Sequence, residues 1–370
     1  MPYPTKKLWE ISKTTSWWTP LKSNGDFWWG KIPWLKSWEL ADNIKINKSS
    51  EFITEIWLKK SSAKIFNKWT LLIAMYWATA WKLWILDFDS TTNQAVCSIQ
   101  NNNNLFIERY IFLYLLMIRK KIIKDSFWWA QPNISKWYLD NISIPLPPLP
   151  TQKLIVQKLD SAFKNIDKSI EIAKRNLENI EELNKSVLEE QLKLKNTKRV
   201  KLWDYIIFNY WKWVKKEDKI ENWEIDVFWA NWVMYKTNKY LFEWNSIIVW
   251  RKWSAWALNK VFWKFWASDV SYYVTVKKDI SIEFTFNLLR RLNLPRFARW
   301  VKPWINRNDI YDLKIPLPSL SKQKEIVEYL DKIFEKNRVL KGKYEEKLRD
   351  LEEMKQSFLR EAFENEGFVE

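Results

Sequence analysis

Histidine is absent from this chain, and cysteine occurs once, at Cys97. The first absence removes the usual general base and the commonest metal ligand. The second excludes a disulfide framework and any cysteine-built metal site. Glycine is nearly missing, with 4 residues in 370, where an average chain carries about 7%. Long apolar runs are missing too. The longest suspect segment, 110–118, runs into Arg119, Lys120 and Lys121 and falls far short of the roughly 20 apolar residues that span a bilayer. Residues 1–7 have no apolar core behind them, which argues against a secretory leader. The expectation is a cytoplasmic protein that does not enter a membrane.

Charge and tryptophan are abundant instead. The chain has 61 Lys+Arg against 44 Asp+Glu, a formal charge of +17, and such a surplus makes a polyanion the default partner. At 47% apolar residues it is too hydrophobic for a disordered basic tail, and its length allows two or three domains. The 29 tryptophans stand where turns want glycine, as in Asn222-Trp223, Asn231-Trp232 and Trp244-Asn245. Glycine reaches positive φ without steric cost, so Asn-Gly is an ordinary turn dipeptide; Asn-Trp has no such logic. The composition predicts that most of these positions are read as glycine in the source cell, through a reassigned stop codon. Trp28, Trp34 and Trp266 fit true aromatic positions. A tryptophan-rich, base-stacking protein is the other reading of the same composition.

The chain repeats itself. The run from Ile144 through Pro145, Leu146, Pro147, Gln152 and Lys153 returns from Ile315 through Pro316, Leu317, Pro318, Gln323 and Lys324, an offset of 171 residues. The offset continues through Leu159 and Leu330, Phe163 and Phe334, and Ser186 and Ser357. After each proline-rich stretch the apolar period becomes helical. From Phe163 the seam runs 166, 170, 173, 177, 180, 184, 187, 191 and 194, with polar interruptions at Asn184 and Gln191. The second seam runs from Leu330 to Ala362 and is weak in its middle, at Asn337 and Lys341. The prolines place the helix starts near Thr151 and Ser321. About 45 residues give rods of roughly 65 Å. Neither stripe is wide enough to be buried all round, so the rods are expected to pack on each other, antiparallel, with a globular head at each end. Head one, 1–143, shows short mixed runs and a helix expected at 105–118. Head two, 198–314, repeats the plan with strands near 246–249 and 270–276 and a helix at 282–292.

Several stretches carry a family resemblance. Thr15-Ser16-Trp17-Trp18-Thr19-Pro20 resembles TSGGTP, and Phe27-Trp28-Trp29-Gly30-Lys31-Ile32-Pro33-Trp34 resembles YWGG-x-IPW. Met75-Tyr76-Trp77-Ala78-Thr79-Ala80-Trp81-Lys82 is similar to MYGATIGK, Thr92-Asn93-Gln94-Ala95 to TNQA, and Trp250-Arg251-Lys252-Trp253-Ser254-Ala255-Trp256 to GRKGSAG. Together with Gln152-Lys153 and Gln323-Lys324 opening the two rods, they resemble the specificity subunit of type I restriction–modification systems over essentially the whole chain. The departures are the Gly-to-Trp exchanges.

The resemblance implies an α/β (α+β) multi-domain fold. Two target-recognition domains, 1–146 and 198–317, would be joined by two long antiparallel coiled-coil helices within 147–197 and 318–370, related by a pseudo-two-fold duplication. Each head would read half of a bipartite double-stranded DNA site. The helices would set the gap and dock two methyltransferase subunits, and restriction/translocase subunits would join that core. The chain itself would bind no cofactor, while its partners would use S-adenosylmethionine, ATP and magnesium. It has no P-loop and no Asn-Pro-Pro-Tyr or Asp-Pro-Pro-Tyr signature, which agrees with a non-catalytic subunit. Two other readings stand beside this one: the recognition part of a fused restriction–methylation enzyme, and a structural coiled-coil scaffold with basic heads.

DNA recognition needs cations or backbone donors on phosphates and planar or fork-shaped groups on base edges. Arg251, Lys252 and Ser254 head the candidates, in a turn after a strand; the bland reading is a basic turn facing water. In head one the comparable turn offers Tyr76, Thr79 and Lys82, with Tyr76 equally suited to a core. Lys36 and Ser37 form a second loop, and Asn93 and Gln94 have the amide geometry for adenine or for capping a strand. Arg296 and Arg299 belong to a basic stretch with Arg290, Arg291 and Lys302, suited to phosphate contact or to a solvated face. Asp87, Asp89, Asp269 and Asp279 would be nuclease candidates only if they converged on one metal site; nothing in their spacing argues for that, and the other reading is a solvated or capping role.

Overall fold

A computed structural model describes residues 3–15, 24–40, 49–61, 63–76, 81–101, 103–126, 135–210, 225–229, 232–237, 239–250, 258–267, 271–292, 307–365 and 368. The chain forms two compact units, Met1–Ile172 with Lys347–Glu370, and Ala173–Glu346. Unit 1 contains β1 (Thr5–Lys7), α1 (Leu8–Ile11), β2 (Lys13–Thr15), β3 (Trp28–Leu35), β4 (Glu51–Ile53), α2 (Glu55–Lys60), β5 (Leu71–Ala74) and β6 (Leu83–Ile85). It continues with β7 (Thr91–Thr92), β8 (Val96–Gln100), α3 (Glu108–Ser126), α4 (Lys136–Asp140), β9 (Ser143–Pro145) and the start of α5 (Leu149–Gln191). Unit 2 contains the end of α5, then β10 (Arg199–Lys201), β11 (Ile206–Tyr210), β12 (Ile225–Trp229), β13 (Trp232–Thr237), β14 (Ser246–Trp250) and β15 (Leu258–Val261). After β16 (Trp266–Ala267), β17 (Ser271–Val276), α6 (Ile282–Arg291), α7 (Asn308–Tyr311) and β18 (Lys314–Pro316), α8 (Leu320–Glu364) begins in unit 2 and ends in unit 1.

The two units share one topology. Unit 1 has sheets ordered β1-β9, β2-β8-β5-β6 and β4-β3-β7; unit 2 has β10-β18, β11-β17-β14-β15 and β13-β12-β16. In each, the three-strand sheet contains a single parallel pair, β3 with β7 and β12 with β16. The 171-residue offset predicted a duplicated unit, and strand order repeats it even where the sequences diverge.

Each core takes the start of one rod and the end of the other. In unit 1, Ile155 and Leu159 of α5 and Leu359 and Phe363 of α8 are buried with Tyr110 and Tyr114 of α3. In unit 2, Ile326 and Leu330 of α8, Leu188 of α5 and Leu192 just past its end are buried with Phe284 and Leu288 of α6. The rod residues of these sets correspond at the same 171-residue offset, and the head-helix residues at 174. Side-chain pairs between the rods fix their direction. In unit 1 Lys355 pairs with Asp167, and Lys158 donates to the Phe368 carbonyl. In unit 2 Asn176 donates to Tyr344, Lys341 pairs with Glu181, and Asn337 donates to Asn184 at 2.7 Å. One number falls as the other rises, so the rods run antiparallel. Asn184 and Asn337, weak points of the two seams, satisfy each other, which is what a buried amide requires.

The helix boundaries differ from expectation for local reasons. α3 begins at Glu108 rather than near 105 because the Leu105 and Ile107 amides donate to the side-chain oxygens of Asn101 and Gln152. It runs on to Ser126, burying Ile122. α5 starts at Leu149, which puts Pro150 in the first turn, where its missing N–H costs nothing. It ends at Gln191, before the predicted 194. Past Asn184 the fully buried positions are Leu188 and, just past the helix end, Leu192, while the expected 187 and 194 are half-buried against the same core of unit 2.

Tryptophan occupies most of the left-handed backbone positions among the described residues. Seven non-glycine residues have positive φ, and four are Trp29 (66°), Trp69 (78°), Trp81 (73°) and Trp263 (67°). An L residue in that region costs about 1–2 kcal/mol, a penalty glycine escapes. Trp81 is also buried with its indole N–H unpartnered. Trp34 is 1% exposed, with its indole N–H likewise unpartnered, and meets the half-buried Trp28 edge-to-face at 5.0 Å. Trp266 is 9% exposed.

Candidate nucleic-acid interface

Both turns singled out in the sequence fall on the same hairpin of their respective units. In unit 1 the segment 75–82 joins β5 to β6; in unit 2 the segment 251–257 joins β14 to β15. The first hairpin is closed by reciprocal backbone bonds, Ala74 N–H to Lys82 O and Trp81 N–H to Ala74 O, both 2.9 Å. Tyr76 is exposed at its edge and Lys82 is half-buried. Thr79, Arg251, Lys252, Ser254, Arg296 and Arg299 lie outside the described residues.

Three separate stretches of unit 1 converge at this hairpin end. The Met75 amide donates to Ala95 O at 2.8 Å, which joins the hairpin to the 93–95 turn. The Asn93 amide donates to Leu35 O at 3.0 Å, and Leu35 pairs with Thr92, which brings Lys36 and Ser37 to the same edge. Tyr76, Lys82, Asn93, Gln94, Lys36 and Ser37 are therefore neighbours by topology, although 58 residues separate Lys36 from Gln94 in sequence. Gln94 is exposed. The Asn93 side-chain oxygen is buried and accepts no hydrogen bond from the protein. Lys36 is turned inward: its ammonium pairs with Glu51 at 2.5 Å and stands 4.1 Å over the Trp38 ring. That contact occupies the charge the sequence reading offered to DNA.

Beside this edge, β3 bulges. Trp28 and Ile32 both face Ile53, so residues 29–31 loop outward. Gly30 sits where a Cβ would lie 2.1 Å from Ile53 O, so no other residue fits. Trp29 is 89% exposed and Lys31 is also exposed. Bulges of this kind re-aim side chains beside functional edges.

The motif glutamines play a part that sequence reasoning did not assign. Gln152 and Gln323 are both fully buried. The Gln152 amide nitrogen donates to Pro147 O at 2.9 Å and Leu105 O at 3.1 Å, and its oxygen accepts from Ile107 N–H at 2.9 Å. Gln323 repeats this with Pro318 O at 2.9 Å, Asp279 O at 2.7 Å and Ser281 N–H at 2.8 Å. Each amide clamps the first turn of a rod to the loop entering the head helix, with every N–H of the side chain used. The signal was available in sequence: the same Gln follows Pro-Leu-Pro by five residues in both repeats.

Of the other residues weighed, Asp269 and Lys302 lie outside the described residues. Asp89 accepts the Lys68 amide at 2.7 Å, a capping role. Arg290 stacks on Phe334 at 4.5 Å, and burial lowers its pKa. Burial pushes the Cys97 thiol up to about 12, so it acts as a core residue. Among the described residues no group of three or more His, Cys, Asp or Glu is placed to hold a metal, and no helix is long and apolar enough to cross a membrane.

Comparison with known proteins places this geometry. The type I restriction enzyme MjaIX specificity subunit of Methanocaldococcus jannaschii is 27% identical over 179 residues, covering 47% of this chain and 41% of that protein. The chain thus spans less than half the length of that relative. A solved chain from work on complex assembly and conformational transition of the type I R-M system superposes with a TM-score of 0.79 at 16% identity, over 98% of both chains. The HsdS subunit from Thermoanaerobacter tengcongensis gives 0.52 at 15% identity, over 99% of this chain and 97% of that one. At such identities the superpositions speak for the fold. The family model described as the type I restriction modification DNA specificity domain matches twice, over residues 3–182 and 184–348, nearly the whole duplicated chain. This chain belongs to that family.

Proposed function

We propose that this chain is the non-catalytic DNA-recognition subunit of a cytoplasmic type I restriction–modification complex. Residues 1–146 and 198–317 each read one half of a bipartite duplex target. The two rods carry methyltransferase subunits and, through them, restriction/translocase subunits. The observation that carries this reading is the equivalent antiparallel strand pairs, β5 with β6 and β14 with β15, on two units of identical topology built around antiparallel helices. Arg251, Lys252 and Ser254 read or hold DNA in unit 2; Tyr76, Thr79, Lys82, Ser37, Asn93 and Gln94 do so in unit 1. Arg296 and Arg299 supply phosphate contacts. Lys36 shapes the loop through Glu51 and Trp38.

The test is geometric. Seven residues inserted in both rods at the level where Asn176 meets Tyr344 lengthen the spacer by about 10 Å, roughly three base pairs at 3.4 Å each. Methylation mapping with the partner methyltransferase should return both half-sites unchanged and a wider gap. An unchanged gap in a folded variant rules out the rods as the ruler. Methylation or cleavage by the rigorously purified chain alone would overturn the non-catalytic assignment.

A further inference from the structure

Unit 2 carries a cationic hollow that the hairpin edge does not use. It is an open concavity of about 750 Å³, with Lys198, Arg199, Lys201, Lys277 and Lys278 on its walls against one carboxylate, Asp204. Local structure brings these residues together. The Lys277 amide donates to Tyr205 O at 2.9 Å, which docks the turn after β17 beside β10. Lys201 is partly engaged by Asp312 at 3.0 Å, and the Lys277 ammonium stands 5.5 Å over Trp203. Lys198, Arg199 and Lys278 are exposed. Burial first, and then repulsion from Arg199, holds Arg291 below the usual guanidinium range, which reflects the same crowding of positive charge.

Unit 1 is less basic on the same scaffold, although Lys7 stands at the position of Lys201 and Lys6 at that of Val200. Thr5 pairs with Pro145 as Arg199 pairs with Pro316, so Thr5 stands at the position of Arg199 and Pro4 at that of Lys198. The turn after β8 carries asparagines, Asn101, Asn103 and Asn104, where unit 2 has Lys277 and Lys278. Two copies of one protein partner on a duplicated scaffold would need the same chemistry on both units. A DNA duplex carries no such requirement, because the two flanks of a bipartite site are met independently.

We infer that this hollow holds the sugar–phosphate backbone of duplex DNA, without sequence preference, beside the half-site met by unit 2. The inference rests on the DNA-recognition reading above. β17 leads from Ser271, paired with Trp250 at the hairpin end, to Val276 at the hollow. Five residue steps at about 3.3 Å make roughly 17 Å, about five base pairs at 3.4 Å. A duplex lying along the sheet thus meets the hairpin and, half a turn later, the hollow. Free backbone cations of this kind act by displacing condensed counterions, so their effect is read in salt dependence.

The experiment compares the full chain with the triple variant Lys198→Gln, Arg199→Gln, Lys278→Gln on a long random-sequence duplex across a salt series. The slope of log K against log salt should become shallower by about 2–3, at roughly 0.9 per phosphate contact. A control triple on exposed α5 positions, Lys164→Gln, Lys168→Gln, Lys174→Gln, removes the same charge and should leave the slope unchanged. Should the hollow triple fail to fold, Lys278→Gln alone should lower the slope by about 0.9. An unchanged slope in the hollow variant overturns the inference while leaving DNA recognition intact. Loss of methyltransferase association with an unchanged DNA slope overturns it in favour of an acidic protein surface. Absence of salt-dependent duplex binding by the unmodified chain removes the recognition reading itself.

Discussion

Units 1 and 2 match where they build the scaffold and differ where they meet the surroundings. Both bury a glutamine at the rod entrance with three hydrogen bonds to corresponding partners. Both close their cores with the same pair of rod positions, Leu188 with Leu192 and Leu359 with Phe363. Their hairpin turns share position but not residues: one carries Tyr76, Thr79 and Lys82, the other Arg251, Lys252 and Ser254. The flank of unit 2 carries Lys198, Arg199, Lys277 and Lys278 where unit 1 has Pro4, Thr5 and asparagines. The lesson is a division within one fold: buried polar clamps and seam positions have one physical solution, while exposed edges are free to take different chemistry.

The comparison breaks most severely if the two glutamine clamps are not equivalent. Gln152→Leu and Gln323→Leu each strand two carbonyls and one amide in a buried site, so each should cost about 3–5 kcal/mol. Chemical denaturation of the full chain measures this. A loss in one variant only would show that the units do not share the clamp.

A smaller effect is expected at the hairpins, and it should be confined to one half-site. Arg251→Ala should cost about 1–3 kcal/mol at one base pair if the guanidinium reads a base, or weaken all sequences with a salt slope lower by about 1 if it holds a phosphate. Lys82→Ala should act on the other half-site alone. Binding to duplexes altered in one half-site at a time separates the two, and an effect on both half-sites from either variant would end the division of labour.

The smallest effects concern the left-handed tryptophans, which occur in both units. Trp29→Gly, Trp69→Gly and Trp263→Gly remove exposed indoles from positive-φ positions, and each should stabilise the chain by about 1–2 kcal/mol. Destabilisation at all three would argue that tryptophan belongs there. Peptide masses from the native source decide directly whether residues 29, 69, 81 and 263 are glycine.

The sequence alone determined the duplication, the two rods and their antiparallel packing. Offset identities and a 3.6-residue period are local quantities, and a stripe too narrow for burial all round demands a partner. Tertiary structure decided what depends on partners remote in sequence. It turned Lys36 inward onto Glu51, brought residues 36–37, 76, 82 and 93–94 to one edge, and buried Leu188 and Leu192 where the rod enters the core of unit 2. It also gathered Lys198 and Arg199 with Lys277 and Lys278 into one hollow. No periodicity announces such a cluster, since only the pairing of strands 62 to 70 residues apart brings its charges side by side.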